Sequence, residues 1–233
     1  MTEIDADALA ALARWDTPTV CNALEIVVPE RRATGFTVEH LHCFDDSLAP
    51  IVGYARTATY RSMAPGARTA EETRAHRAEY YEYVSSGPRP SIVVIQDLDP
   101  IPGYGAFWGE VNTAVHKGLG ALGAVTNGSI RDLGECAPGF QLLAGKIGPS
   151  HAHGHVVDFA CPVEVFGMSV RDGDIVHADR HGAVVVPAEA VAGIPAAVDL
   201  LVRREAVILE AARAPGFDIE ALRRAMADQA GIH

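Results

Sequence analysis

Aromatic residues make up only 6% of the 233 residues, so the core this chain builds is aliphatic, rich in alanine and valine. Cysteine is equally sparse. Cys21, Cys43, Cys136 and Cys161 lie far apart with no CxxC pair, which excludes a zinc ribbon and a disulfide scaffold and fits a reduced, cytoplasmic protein. Basic residues are the minority charge: 19 Lys and Arg against 30 Asp and Glu leave a net charge of −11. That balance argues against an electrostatic nucleic-acid surface, and an anionic ligand needs a local basic site. No uninterrupted apolar run approaches about 18 residues, so no membrane span is expected. The first 20 residues open with acids and carry no basic n-region or continuous apolar stretch, so no secretory leader is expected. Repeats, low-complexity tracts and linkers are missing as well, and at roughly 100–200 residues per domain the length predicts one domain over 1–233.

What is present alternates helix and strand signals. Helices are expected near residues 5–28: one over Asp5 to Trp15, then a second opened by Thr17-Pro18, where threonine caps and proline suits the first turn. A strand follows over Gly53 to Arg61, a polar helix around Thr69 to Val84, and a buried strand from Ser91 to Ile95. The segment from Asp97 to Gly109 reads as a glycine- and proline-rich loop delivering the chain into a helix near Glu110, which ends around Gly118 and Gly120. Ala121 to Val125 reads as the next strand, and Asn127-Gly128-Ser129 as a turn before Ile130-Arg131-Asp132. The second half holds short strands separated by glycine or Asp-Gly turns, forming a β-rich layer or barrel edge. Helices close the chain over about 188–230, with a kink or break expected at Pro195.

The chemistry concentrates between Glu110 and Asp132. Twenty residues, one helix plus one strand, separate Glu110 from the Arg131-Asp132 pair, and in α/β units these ends meet beside one crevice. Carboxylate oxygens there suit Mg²⁺ or Mn²⁺, which keep several waters and take one or two protein carboxylates. Arg131 can hold a carboxylate or an enolate, and the free N–H groups of Val111 and Asn112 behind Gly109 form an anion cradle at a helix start. The plainer reading is a surface Arg-Asp ion pair. The run from Ser150 to His155 places His151, His153 and His155 on one face if it is extended, as a zinc or other transition-metal site requires, but Gly154 and Gly148-Pro149 suggest a turn; substrate contact or intersubunit hydrogen bonding and a plain polar loop are the other readings. Asp179 and His181 read as turn formers, and Tyr80, Tyr81 and Tyr83 as packing or interface residues. No GxGxxG fingerprint opening from a strand, GxSxG elbow, P-loop or HExxH occurs.

The segment WGEVNTAVHKGLGALGAVTNGSIRD resembles the signature of the RraA-like family, in which an Asp precedes Arg-Asp by twenty residues. DTPTVCNAL near the N-terminus and PVEVFGMSVRDGDIVHADRHGAVVVP downstream extend the resemblance over about residues 16–210. It implies an α/β fold of the swivelling β/β/α type, with a central sheet or barrel-like β layer flanked by helices, assembled as a homotrimer or homohexamer with the site at a subunit boundary. It also implies a Mg²⁺- or Mn²⁺-dependent lyase releasing pyruvate from a small 4-hydroxy-2-oxo acid, of the 4-hydroxy-4-methyl-2-oxoglutarate aldolase type, or from oxaloacetate. The family's other branch is a non-catalytic regulator that binds a protein partner. Carried over residue by residue, Asp132 is the metal ligand, Arg131 the substrate-binding and enolate-stabilising arginine, and Gly109, Val111 and Asn112 the backbone cradle. Glu205, in the C-terminal helix, corresponds loosely to an acid that reaches a neighbouring subunit's metal waters; an exposed helical Glu is the plainer reading. Two departures stand out. Glu110 replaces the family's Asp, putting its carboxylate about 1.5 Å further out, and Asn22 stands where many relatives carry Asp.

Overall fold

The computed structural model describes residues 4–232. In chain order its elements are α1 (Ala6–Leu12), α2 (Thr17–Val27), β1 (His42–Cys43), β2 (Ile51–Arg61), α3 (Ala70–Ser85), β3 (Ser91–Asp97), β4 (Ala106–Trp108), α4 (Glu110–Gly118), β5 (Ala121–Ile130), β6 (Gln141–Ile147), β7 (His155–Phe159), β8 (Val163–Val165), β9 (Met168–Val170), β10 (Ile175–Asp179), β11 (Gly182–Val186), α5 (Ile194–Arg213) and α6 (Ile219–Ala230). Among the described residues the main sheet has nine strands in the order β1-β6-β5-β3-β2-β10-β11, with β4 added on β5 and β7 on β2. The β2–β3, β3–β5 and β5–β6 pairs are parallel, whereas β10, β11 and β7 pair antiparallel. The result is a mixed α/β fold whose curled sheet is flanked by helices.

Alternation along the central strands explains why both faces are covered. Ile92 and Val94 of β3 join one cluster with β8 and β9, while Val93 and Ile95 join another with Tyr80 of α3 and Trp108. A strand buried on both faces reads as a continuous apolar run, as Ile92 to Ile95 does. A third cluster packs Leu9, Leu12, Val20 and Leu24 from α1 and α2 against Ile194 and Val198 of α5 and against Val52 and Tyr54 of β2. Asp16 caps α2 by accepting from Thr19 N–H, while Thr17, read as the cap, is the first helical residue.

One local expectation is corrected and a second is narrowed. Asn127-Gly128-Ser129 is not a turn but lies within β5, at an irregularity where the β5–β6 register shifts between Thr126 and Ser129. The reason is tertiary: Asn127 spends its side-chain amide on the neighbouring strand, accepting from Asp97 N–H (2.7 Å) and donating to Asp97 O (3.1 Å). Of the kink or break expected at Pro195, the kink is absent and a break stands just before it. A 3₁₀ turn over Ala188–Gly193 precedes it, and the proline occupies the first turn of α5, where its missing N–H is harmless.

The tightest strand contact lies at Gly123 of β5, where a Cβ would sit 2.1 Å from the backbone oxygen of Gln141 on β6. Because the obstacle is backbone of a paired central strand, Gly123→Ala is expected to destabilise the protein by about 3 kcal/mol. The urea unfolding midpoint reads this, and an unchanged midpoint would show that the strands can separate without loss.

Candidate functional site

The site is built where α4 starts. Gly109 caps the helix with extended backbone and offers no side chain to the first turn, so the first N–H groups of α4 are left for other partners. One of them, Glu110 N–H, faces Asp132 Oδ2 at 3.4 Å. A Cβ on residue 109 would lie 2.5 Å from that same oxygen, so glycine is what lets the carboxylate lie against the helix start. Arg131 N–H donates to Trp108 O (2.9 Å), tying the end of β5 to β4 directly before the helix. Asp132 itself adopts a left-handed backbone, φ +54°, and its carbonyl accepts from Glu135 and Cys136 N–H to close a tight turn. Non-glycine residues in this region carry strain, and aspartate tolerates it better than most. Arg131 Nε lies 3.5 Å from Asp132 Oδ2, so both contacts of the carboxylate fall on one oxygen and Oδ1 has no partner among the described residues.

Arg131, Asp132, Gly109, Val111 and Asn112 all line one cavity of about 560 Å³. Glu110 is not among its lining residues: it opens α4 with an exposed side chain, and its backbone rather than its carboxylate meets Asp132. Glu205 sits exposed on α5, which packs against α2 and α6, and does not reach this cavity within the chain. Asn22 lies on α2 with an exposed side chain and is likewise off the lining.

The opposite wall was foreseen only through the histidine run, for which substrate contact was one reading; that α3 faces it was not. Arg68, His76 and Arg77 come from α3 and the residue preceding its cap, and His151, His153 and His155 come from the loop entering β7. The three loop histidines do share the cavity, but by a turn at Ala152 (φ +47°) rather than by strand alternation. They do not form a zinc set: among the described residues no group of three or more His, Cys, Asp or Glu is placed to hold a metal. Three arginines against one carboxylate, Asp132, make this an anion-attracting cavity in a strongly acidic chain. Its sequence signals were the histidine run and the Arg- and Tyr-rich face of α3, which stand roughly 65 to 85 residues apart in the chain.

Beneath the cavity floor, Tyr81 donates to Asn112 Oδ1 (3.1 Å), and the Asn112 amide donates to Phe107 O. His116, one turn further along α4, places Nδ1 2.6 Å from Asn112 O and Nε2 2.8 Å from Tyr80 Oη. A carbonyl can only accept, so Nδ1 carries the proton and Nε2 accepts from the tyrosine. Burial pushes the His116 pKa down to about 4 from 6.5. The unfolded ring takes a proton below pH 6.5 and the folded ring only below about 4, so this stabilisation is complete above pH 6.5 and is lost as the pH falls through that window, by about 3 kcal/mol in all. The wild-type urea midpoint is therefore expected to fall more steeply from pH 6.5 to 4 than that of His116→Gln, and parallel slopes would remove His116 as the cause.

Asp179 and His181 close the β10–β11 turn as read from sequence, with His181 N–H on Asp179 Oδ1 at 2.8 Å. The family model for the RraA-like proteins, described as Aldolase/RraA, matches residues 17–185. The chain belongs to the RraA-like family. This span holds the whole α4–β5 unit and every cavity-lining residue named above. RraA-like proteins include both aldolases and RNA-processing inhibitors. A Legionella pneumophila relative, protein DlpA, is 26% identical over 145 residues, covering 59% of this chain; the chain spans about a fifth (21%) of that relative's length. Among solved structures, an uncharacterized protein from Pseudomonas syringae pv. tomato superposes with a TM-score of 0.71 at 21% identity, covering 96% of this chain and 95% of that one. A Streptomyces coelicolor structure, described as an unusual member of the RNase ES inhibitor RraA protein family, superposes with a TM-score of 0.63 at 23% identity, covering 86% and 94%. At these identities the superpositions establish the RraA-like fold. Among the described residues no helix is long and apolar enough to cross a membrane.

Proposed function

We propose that this RraA-like protein is a divalent-metal-dependent carbon–carbon lyase that releases pyruvate, by retro-aldol cleavage of a 4-hydroxy-2-oxo acid or by decarboxylation of oxaloacetate. The observation that carries the reading is the meeting of Arg131, Asp132 and the uncapped start of α4 on one cavity wall. The donor set fits a hard cation: one carboxylate, Asp132, has an oxygen without a protein partner in a cavity that supplies no other acid, matching an ion that keeps most of its waters. Bound there, Mg²⁺ or Mn²⁺ supplies Lewis-acid polarisation of the substrate's 2-oxo carboxylate. The protein does the rest. The Val111 and Asn112 N–H groups receive the C1 carboxylate at the positive end of α4. Arg131 places a fixed positive charge where the enolate oxygen develops, so it binds the transition state more tightly than the ground state. Asp132, held by strained backbone against Gly109, is preorganised as the ligand. A homotrimer or homohexamer, in the cytoplasm, would bring Glu205 of one subunit toward the cavity of the next.

The test is pyruvate release, read through lactate dehydrogenase, from oxaloacetate and a panel of 4-hydroxy-2-oxo acids with Mg²⁺, Mn²⁺ or EDTA. Metal-dependent release supports the lyase and names its substrate. Silence on every substrate with every metal overturns it in favour of a regulator that binds a protein partner.

A further inference from the structure

Retro-aldol cleavage needs a group that takes the proton of the C4 hydroxyl, and the cavity leaves few. Its one carboxylate is the metal ligand of the reading above, and Glu110 lies off the lining. The phenols of Tyr60 and Tyr81 are pushed up by burial and stay protonated. The imidazoles remain, and they are not equivalent. His155 starts β7, opposite Arg61 of β2, with its ring against Gly66; His153 is held at the end of β2 by its N–H on Ser62 O (3.0 Å); and His76 lies on α3 against Phe159. His151 is tied to the reacting end. Ser150 O accepts from Ala106 N–H (2.8 Å), and two residues along β4 Trp108 O accepts from Arg131 N–H (2.9 Å). Two extended residues span roughly 7 Å, so the backbone next to His151 runs about that far from Arg131.

Resting on the lyase reading, we propose that His151 is the proton-transfer residue of the aldol reaction. Its Nδ1 lies 2.8 Å from Ala152 O, which can only accept, so Nδ1 carries a proton and Nε2, a nitrogen with no partner among the described residues, is the ring atom left to take one. The backbone that carries the ring is fixed from several sides. Ala152 is left-handed (φ +47°) with its N–H on Ser150 Oγ (3.0 Å), and His151 O accepts from Gly154 N–H (2.9 Å) and from the Tyr60 hydroxyl (3.5 Å). A Cβ on Gly105 would lie 2.6 Å from His151 O, so that glycine lets the loop close. Strain held by this many bonds is what a positioned catalytic loop stores.

In the step, Nε2 takes the O4 proton as the C3–C4 bond breaks. The O–H electron pair becomes the C4=O bond of the released carbonyl product, and the C3–C4 pair moves into the C2=C3 bond of pyruvate enolate. The imidazolium then returns its proton to C3, giving pyruvate and the starting imidazole.

Decarboxylation of oxaloacetate breaks C3–C4 with no hydroxyl proton to remove, which gives an internal control. In His151→Gln, whose amide cannot take the proton, kcat/KM for aldol cleavage is expected to fall about 100-fold or more, whereas oxaloacetate decarboxylation, which needs only the later proton at C3 that solvent can deliver to the enolate, is expected to fall by about tenfold at most. Exchange of pyruvate methyl protons with D₂O, followed by NMR, falls with the aldol activity, because it uses the same proton at C3. Equal loss of both activities, or loss of neither, in a variant with wild-type near-UV circular dichroism overturns the role of His151 while the lyase reading stands. Wild-type decarboxylation without any aldol cleavage also overturns it. A wild type silent on both substrate classes overturns the lyase reading and this proposal with it.

Discussion

Arg131→Ala is expected to lower kcat/KM for pyruvate release by about 10²–10³-fold, a loss of roughly 3–4 kcal/mol of transition-state stabilisation, with the unfolding midpoint unchanged. The two halves of this expectation have separate causes. The guanidinium is the cationic group beside the helix start where the substrate's oxo end is placed, and a charge aimed at developing enolate charge acts mainly in the transition state. For the fold it does little. Its contact with Asp132 is 3.5 Å long, between side chains 37% and 34% exposed, and solvent-screened pairs of this kind contribute about 0–1 kcal/mol. The backbone bond from residue 131 to Trp108 O survives the truncation. Arg131→Lys keeps the charge but loses the fork, so it should recover part of the rate. Turnover within threefold of wild type in the alanine variant would remove Arg131 from the reaction.

Asp132 separates chemistry from backbone strain. Asparagine at this position keeps a side chain that tolerates φ near +54° and an oxygen to accept from Glu110 N–H, but it lacks the charge a divalent ion needs. Asp132→Asn is therefore expected to unfold with wild type yet to lose Mg²⁺ or Mn²⁺ binding by calorimetry at least tenfold and to release pyruvate only at the rate seen in EDTA. Asp132→Ala should lose the same activity and also about 1 kcal/mol of stability, because alanine carries the full left-handed penalty. Two variants equal in activity and unequal in urea midpoint are the signature. EDTA-sensitive turnover in the asparagine variant would place the metal elsewhere.

The α4–β5 unit was legible because it is short and local. One helix start, twenty intervening residues and one strand end leave few ways to avoid bringing Gly109 and Asp132 together, and the 2.5 Å clearance at Gly109 is the physical form of that constraint. The same reasoning misjudged Asn127-Gly128-Ser129, since turn residues in a central strand satisfy themselves against a neighbour that local chemistry does not reveal; here the neighbour is Asp97. It also passed over β6, although Pro138-Gly139 and Gly148-Pro149 bound the Gln141–Ile147 run, because its short apolar stretch is interrupted by Gly145 and Lys146; it pairs as a strand beside β5. Spacing put Glu110 beside Asp132, and it is the backbone N–H of Glu110 that meets Asp132, its exposed side chain lying off the lining of the cavity.

By itself the sequence determined an aliphatic α/β chain, the family, and the helix start and Arg-Asp pair on which the reading depends, because composition and motifs that each lie within one short segment are legible without knowing which strands pair. Only the tertiary structure decided that α3 and the histidine loop form the facing wall. Arg68 and Arg77 stand roughly 75 to 85 residues from His153, and β7 brings them together by pairing with β2, where Arg68 Nη2 donates to Val157 O at 3.0 Å. Such a wall is set by sheet order, and sheet order follows from which faces bury apolar area together, a property of the whole chain that no local pattern encodes.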